Sequence, residues 1–308
     1  MNIEKIYLAS PRGFCAGVNR AINVVNAVLL KHGNPIYVRH HIVHNDHIIK
    51  DFEGKGVIFV ERLEDIPKES IVIFSAHGSS PELYKQAKER KLHVYDATCP
   101  LVTKVHLEAK RYADEGYFII YIGHNNHAET VGVLGEVSHD RIIRVGSTKE
   151  IENIGNIEPK KIVILTQTTL SIDDTQKIVT AIKRKYPCAI IPPAFDICYS
   201  TQNRQNAVKE LAKKVKTILV VGSKTSSNSN KLRDVALKQG IEAYLINDKT
   251  EIDAKWFEGK SMVGITAGAS APNELIKDVI RYLSGKKTTI EEIVTTTETV
   301  TFSLPRNL

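Results

Sequence analysis

At 308 residues, 42% of them apolar, the chain can bury a large core, and its length allows two or three domains. No apolar run approaches the roughly 18 residues that cross a bilayer, and Met1-Asn2-Ile3-Glu4-Lys5 enters a strand-like run without the apolar region of a signal peptide. A cytoplasmic location is therefore expected. The formal charge of +7 fits an anionic small molecule, an acidic protein or nucleic acid equally well, so charge alone selects no partner.

Strand-like runs alternate with amphipathic helical stretches along the whole chain. An apolar run at 6–9 leads to Cys15 in Arg12-Gly13-Phe14-Cys15-Ala16-Gly17, with helical periodicity over 18–30. Strands at 36–39 and 71–75 precede a helix at 81–90. The run 92–95 passes through Asp96-Ala97-Thr98-Cys99-Pro100 into a helix at 101–115. Strands follow at 118–122 and 161–165, with a helix at 172–186. The run 189–191 precedes Asp196-Ile197-Cys198-Tyr199-Ser200 and a helix over 203–214. Strands at 217–221 and 262–266 and helices at 232–239 and 272–283 complete the pattern, with Pro272 expected at the first helical position. The Thr-rich tail from Lys286 reads as an appended extended segment. Such alternation predicts an α/β fold of parallel sheets with helices on both faces. Ligands in such sheets lie beyond the carboxyl ends of the strands, on loops that open helices.

The polar loops recur at near-constant offsets. His44 and His77 lie 29 and 62 residues after Cys15; His127 and Thr168 lie 28 and 69 after Cys99; Ser226 and Ser270 lie 28 and 72 after Cys198. This is a repeat of architecture rather than of residue identity, with a period near 90 residues. It predicts three small α/β domains, 1–95, 96–195 and 196–285, with a tail at 286–308 and an N-terminal strand able to pack with the third. A pseudo-three-fold arrangement would aim the loops at one central cavity.

A lone cysteine is usually a small buried apolar residue. Here three of them lie in turn-rich loops at helix starts, where the dipole favours a thiolate. In a reducing compartment thiols so widely spaced suit metal ligation or catalysis better than disulfides. A closed zinc site normally uses a local C-x-x-C pair, which is absent, whereas three distant thiolates suit an iron–sulfur cluster with one iron open. Cys188, bordering a strand outside the repeat, reads as structural.

Most of the eleven histidines should be ordinary surface residues. His44, His77 and His127 stand apart by their spacing, and imidazole can donate to phosphate oxygens. Gly222-Ser223-Lys224-Thr225-Ser226-Ser227-Asn228-Ser229-Asn230 and Ala267-Gly268-Ala269-Ser270-Ala271-Pro272 gather hydroxyls and amides at helix starts, where free N–H groups attract anions. Capping explains one or two of these residues but not the whole run. No nucleotide-binding glycine fingerprint is present. Glu129, the acid of the His127 loop, is either a proton donor in a dry cavity or a glutamate favoured by a helix start.

Together with Ser75-Ala76-His77-Gly78, the long block Asp96 to His106, Thr166-Gln167-Thr168-Thr169-Leu170-Ser171 and Asp196-Ile197-Cys198-Tyr199, these loops resemble the 4-hydroxy-3-methylbut-2-enyl diphosphate reductase family from residue 11 to residue 272. The resemblance implies a reductive dehydroxylation giving isopentenyl and dimethylallyl diphosphate, the last step of the non-mevalonate isoprenoid pathway. It implies one 4Fe–4S cluster on Cys15, Cys99 and Cys198, with a diphosphate bound by His44, His77, His127, Ser226, Ser227, Asn228 and Ser270. It places Thr168 near the substrate, makes Glu129 the proton donor, and implies a ferredoxin or flavodoxin as electron donor, with neither nucleic acid nor membrane as partner. Ala128 departs from the proline of some members. The competing reading is a non-catalytic nucleic-acid-binding protein with a zinc or cluster. It draws on the basic balance, but the lysines of stretches such as 209–216 interleave with apolar and acidic residues, without an aromatic–basic stripe.

Overall fold

A computed structural model of the chain describes residues 3–155, 161–193 and 196–308. Among the described residues the strands form three sheets in which each pairing is parallel. One sheet runs Val57–Val60, Ile36–Arg39, Ile71–Phe74, His93–Asp96. A second repeats that order as Ile142–Val145, Phe118–Ile122, Ile162–Thr166, Ala189–Ile190. The third begins alike, with Glu242–Ile246, Thr217–Val221 and Met262–Ala267. Its fourth place is taken by the N-terminal strand Lys5–Ser10, and Thr289–Val294 from the tail adds a fifth. The repeat read from spacing is thus a repeat of topology, closed by the chain's first strand.

Burial explains why the central strands were legible. Ile162–Thr166 is buried along its whole length, as a strand covered on both faces must be. Its residues alternate between two cores. Ile162 and Ile164 join Ile120 and Ile122 under the helix Ile172–Lys185, while Val163 and Leu165 join Ile119 and Tyr121 under Pro100–Asp114. The Ile172–Lys185 helix buries Thr175, Ile178, Val179 and Ile182, spaced as one helical stripe. Its Ser171 cap accepts the Asp174 N–H at 3.3 Å; Asp173 and Asp174 face the positive end, and Lys183, Arg184 and Lys185 the negative one.

Among the described residues, four strands escape the sequence reading: Val57–Val60, Ile142–Val145, Glu242–Ile246 and Thr289–Val294. Each closes an edge of its sheet, where residues such as Ile58, Glu242 and Glu291 face solvent and the apolar signal thins. The tail is therefore not merely appended: its strand pairs with the N-terminal one from Lys5 opposite Thr289 to Ser10 opposite Val294. Pro272 caps Asn273–Leu283 rather than occupying its first turn.

The chain divides into two compact units. One comprises Met1–Val18, His44–Lys50 and Tyr199–Thr301 and carries the five-stranded sheet; the other comprises Asn19–Val43, Asp51–Cys198 and Phe302–Leu308 and carries both four-stranded sheets. No described helix is long and apolar enough to cross a membrane.

Candidate functional site

In each sheet the strand order reverses direction between the first and third strands of the repeat, and ligands of open parallel sheets bind at that crevice. The loops that leave those two strands are the polar loops singled out above. They carry His44 and His77, His127 and Thr168, and Ser226 and Ser270. The fourth strand of each sheet leads to a cysteine. Cys15, Cys99 and Cys198 each stand one residue before a helix, at Ala16–His32, Pro100–Asp114 and Tyr199–Ala212.

A single backbone bond recurs three times. The Cys99 N–H donates to the Ala76 carbonyl at 3.0 Å, that of Cys198 to Thr168 at 3.0 Å, and that of Cys15 to Ala269 at 3.2 Å. Each acceptor lies two residues past the third strand of its sheet. Counting along the chain grouped Cys15 with His44 and His77. The hydrogen bonds instead join Cys99 to the His77 loop, Cys198 to the Thr168 loop and Cys15 to the Ser270 loop. The reason is the position of the first strand, which sits in the last sheet beside Met262–Ala267.

In the unit bearing the two four-stranded sheets, the His77 and His127 rings meet edge-on at 5.9 Å, and the His40 ring also meets His77 edge-on at 5.9 Å. The His127 Nδ1 accepts the Glu129 N–H at 3.2 Å and caps Ala128–Leu134. That role leaves Nε2 to carry the ring proton of the neutral imidazole. Burial, followed by the neighbouring His124 and His40, lowers the His127 pKa to about 4, so the ring is a neutral donor near pH 7.

Glu129 is 2% exposed, and Thr168 holds both of its oxygens. The Thr168 N–H donates to one at 2.7 Å and its hydroxyl to the other at 2.9 Å. These bonds favour the carboxylate. Burial outweighs them and, helped by the charge of Asp196, raises the Glu129 pKa to about 7. The carboxyl can therefore hold or release a proton near neutrality. The same Thr168 accepts the Cys198 N–H, so one residue links the acid to a thiol loop.

In the other unit, the Ser226 hydroxyl caps Ser227–Lys238 by accepting the Ser229 N–H at 3.3 Å, as ordinary capping requires. Asn228 reaches across to accept the Ala269 N–H at 2.9 Å, and the Ser270 hydroxyl donates to the His44 carbonyl at 2.9 Å. These bonds gather Ser226, Asn228, Ser270, His44 and the Cys15 loop. A Cβ on Gly222 or Gly268 would lie 2.2 or 2.0 Å from the Ser229 hydroxyl, so a side chain at either would displace Ser229.

The three recurrent cysteines are half-buried and in no disulfide, and Cys188 is exposed and likewise in none. Half-burial at helix starts, with no disulfide consuming them, suits Cys15, Cys99 and Cys198 to iron–sulfur ligation.

Two supporting residues lay inside the conspicuous sequence blocks without a role. Asp196 accepts the Lys104 ammonium at 2.9 Å and the Thr166 N–H at 3.0 Å, which ties the Cys99 helix to the loop before Cys198. Burial pushes its carboxyl pKa up against these bonds. His106 bonds Glu136 at 2.6 Å and wedges between Gly78 and Gly132. Gly78 has φ +84°, and a Cβ there would sit 2.6 Å from the His106 Nε2. Gly78→Ala is therefore expected to destabilise the fold by about 2 kcal/mol or more, read as a lowered midpoint in urea with unchanged slope.

The LytB protein family model matches residues 6–284. A 4-hydroxy-3-methylbut-2-enyl diphosphate reductase from Acidothermus cellulolyticus is 47% identical over 307 residues, covering 99% of this chain and 90% of that protein. One from Psychrobacter arcticus is 48% identical over 308 residues, covering 99% and 97%. Among solved structures, the E-1-hydroxy-2-methyl-but-2-enyl-4-diphosphate reductase of Plasmodium falciparum matches with a TM-score of 0.96 at 38% identity, over 99% of this chain and 96% of that one. A second, described as (E)-4-hydroxy-3-methyl-but-2-enyl diphosphate reductase, the terminal enzyme of the non-mevalonate pathway, matches at 0.66 and 30% identity, over 91% and 99%.

Proposed function

We infer that this chain, which belongs to the LytB protein family, reduces 4-hydroxy-3-methylbut-2-enyl diphosphate to isopentenyl and dimethylallyl diphosphate, ending the non-mevalonate pathway. Membership of a reductase family sets aside the nucleic-acid-binding alternative. The observation that carries the chemical reading is the thrice-repeated bond between a cysteine N–H and a polar loop at a sheet's reversal point.

A 4Fe–4S cluster held by Cys15, Cys99 and Cys198 would supply two electrons singly. The protein's own residues do the rest. Ser226, Ser227, Asn228 and Ser270, with His44, His77 and His127, receive the diphosphate; the neutral His127 offers its Nε2–H, and the helix starts offer backbone N–H groups. Anchoring one end of the substrate limits which carbon can reach the reducing centre. Thr168 holds the Glu129 carboxyl in one orientation. Glu129 gives its proton to the leaving hydroxyl, so the C–O bond breaks and water departs. With the two electrons, a second proton on either end of the allyl system gives one product or the other.

The test is anaerobic reconstitution with iron and sulfide, followed by dithionite-driven turnover with both products resolved by mass spectrometry or NMR. A protein that takes up iron yet leaves the substrate's hydroxyl in place would overturn this reading. The same proposal includes a small acidic electron carrier, a ferredoxin or flavodoxin, and a cytoplasmic location. The +7 charge supports electrostatic docking of that carrier. Carrier-driven turnover is therefore expected to fall steeply with added salt while dithionite-driven turnover changes little; a flat carrier-driven response would remove the electrostatic component.

A further inference from the structure

Arg204 is among the largest fully buried side chains of the protein, at 1% exposure, and nothing in the chemistry above uses it. It lies on Tyr199–Ala212, the helix that follows Cys198 in the chain. A buried guanidinium is costly unless its donors are satisfied and its charge is paired. Here Nε and Nη2 donate to the Gly13 carbonyl at 3.1 and 2.8 Å, and Nη2 also reaches the Phe14 carbonyl at 3.3 Å. Nη1 donates to the Ser200 carbonyl at 2.9 Å and to both oxygens of Glu298 at 2.9 and 3.1 Å. Asn203 gives Glu298 a further N–H at 3.0 Å.

The two carbonyls belong to the residues immediately before Cys15. Their backbone has little room to adjust. Gly13 has φ +69°, its N–H donates to the Ala267 carbonyl at 3.3 Å, and a Cβ there would press on Ala271 and Ile276 at 3.3 Å each. The counter-charge comes from the far end of the chain. After Thr289–Val294 has paired along Lys5–Ser10, Thr295 bonds the Ser10 carbonyl through its N–H at 3.0 Å and its hydroxyl at 2.9 Å. This delivers Glu298 to the Arg204 guanidinium. A planar fork with five donors suits the task, and lysine could not reproduce it.

We propose that Glu298 and Arg204 are positioning residues for Cys15: the C-terminal segment completes a buried clamp on the Gly13 and Phe14 carbonyls and so presents this thiol in one place. The proposal rests on reading Cys15 as an iron–sulfur ligand. It assigns a function to a tail that carries no recognisable motif.

The test compares wild type with Glu298→Ala, the isosteric Glu298→Gln and the conservative Glu298→Asp, each reconstituted anaerobically. Iron per chain, the paramagnetic resonance spectrum of the reduced protein and the rate of bleaching in air are measured, with circular dichroism as the check on folding. Glu298→Ala and Glu298→Gln are expected to lose the chromophore roughly tenfold faster and to show an altered resonance signal, with partial rescue in Glu298→Asp. If Glu298→Ala fails to fold, Glu298→Gln, which keeps the shape but loses the charge and one of the two acceptor oxygens, decides the matter. A folded variant without the charge that matches wild type in both signal and bleaching rate overturns the proposal. Wild type that takes up no iron would instead sink the ligand reading of Cys15, and this proposal with it.

Discussion

With dithionite as reductant, Glu129→Gln is expected to bind substrate normally and to turn it over about a hundred- to ten-thousandfold more slowly. The substitution should leave the local structure in place. The oxygen of the new amide can still accept the Thr168 N–H, and the Thr168 hydroxyl can rotate to accept from the amide nitrogen where it formerly donated. What disappears is an acid whose pKa lies at about 7. Wild-type turnover should therefore fall as pH rises through that value, and the glutamine variant should lack this limb. Stability carries the same signature. A carboxyl with a raised folded-state pKa binds more protons in the folded than in the unfolded state between about pH 4.5 and 7, so its contribution is complete below that window and is lost across it. The stability of Glu129→Gln relative to wild type should accordingly improve from pH 5 to pH 8, read by denaturation at both. Turnover within a few-fold of wild type would remove the proton-donor role.

Serine in place of Cys15, Cys99 or Cys198 is expected to abolish turnover and to leave the reconstituted protein short of iron and pale. Cys188→Ser should match wild type in both. A serine hydroxyl is far less readily ionised than a thiol and is a poor partner for iron, so the loss should be near complete at each of the three positions. The contrast with Cys188 is sharp because that thiol is exposed and stands apart from the repeated loops. Iron analysis and a visible spectrum taken under anaerobic conditions decide it. Full activity in colourless, iron-free protein would end the iron–sulfur reading.

How much of this was visible in the sequence varied with burial. Central strands such as Phe118–Ile122 and Ile162–Thr166 announce themselves because a strand covered on both faces has to be apolar nearly throughout. Edge strands such as Thr289–Val294, exposed along nearly all their length, mix their signal with that of loops. The loops that carry chemistry were legible for another reason. A thiol, imidazole or run of hydroxyls placed between a strand and a helix is unusual enough to notice, and near-constant offsets tie the three sets together. Asp196, His106 and Arg204 were not distinguishable in that way, since a charged or polar residue in a helix or loop reads as solvated until its burial is known.

Residue order alone therefore determined the α/β class, the three-fold recurrence of a cysteine with two polar loops, and the identity of Glu129 as the acid of its loop. Only the tertiary structure decided which thiol joins which sheet, because the pairing of Lys5–Ser10 with Met262–Ala267 on one side and Thr289–Val294 on the other is non-local and leaves no periodic trace. It also decided the protonation of Glu129 and His127, since a pKa follows from how much water and which charges surround a group, and those neighbours are brought from distant parts of the chain.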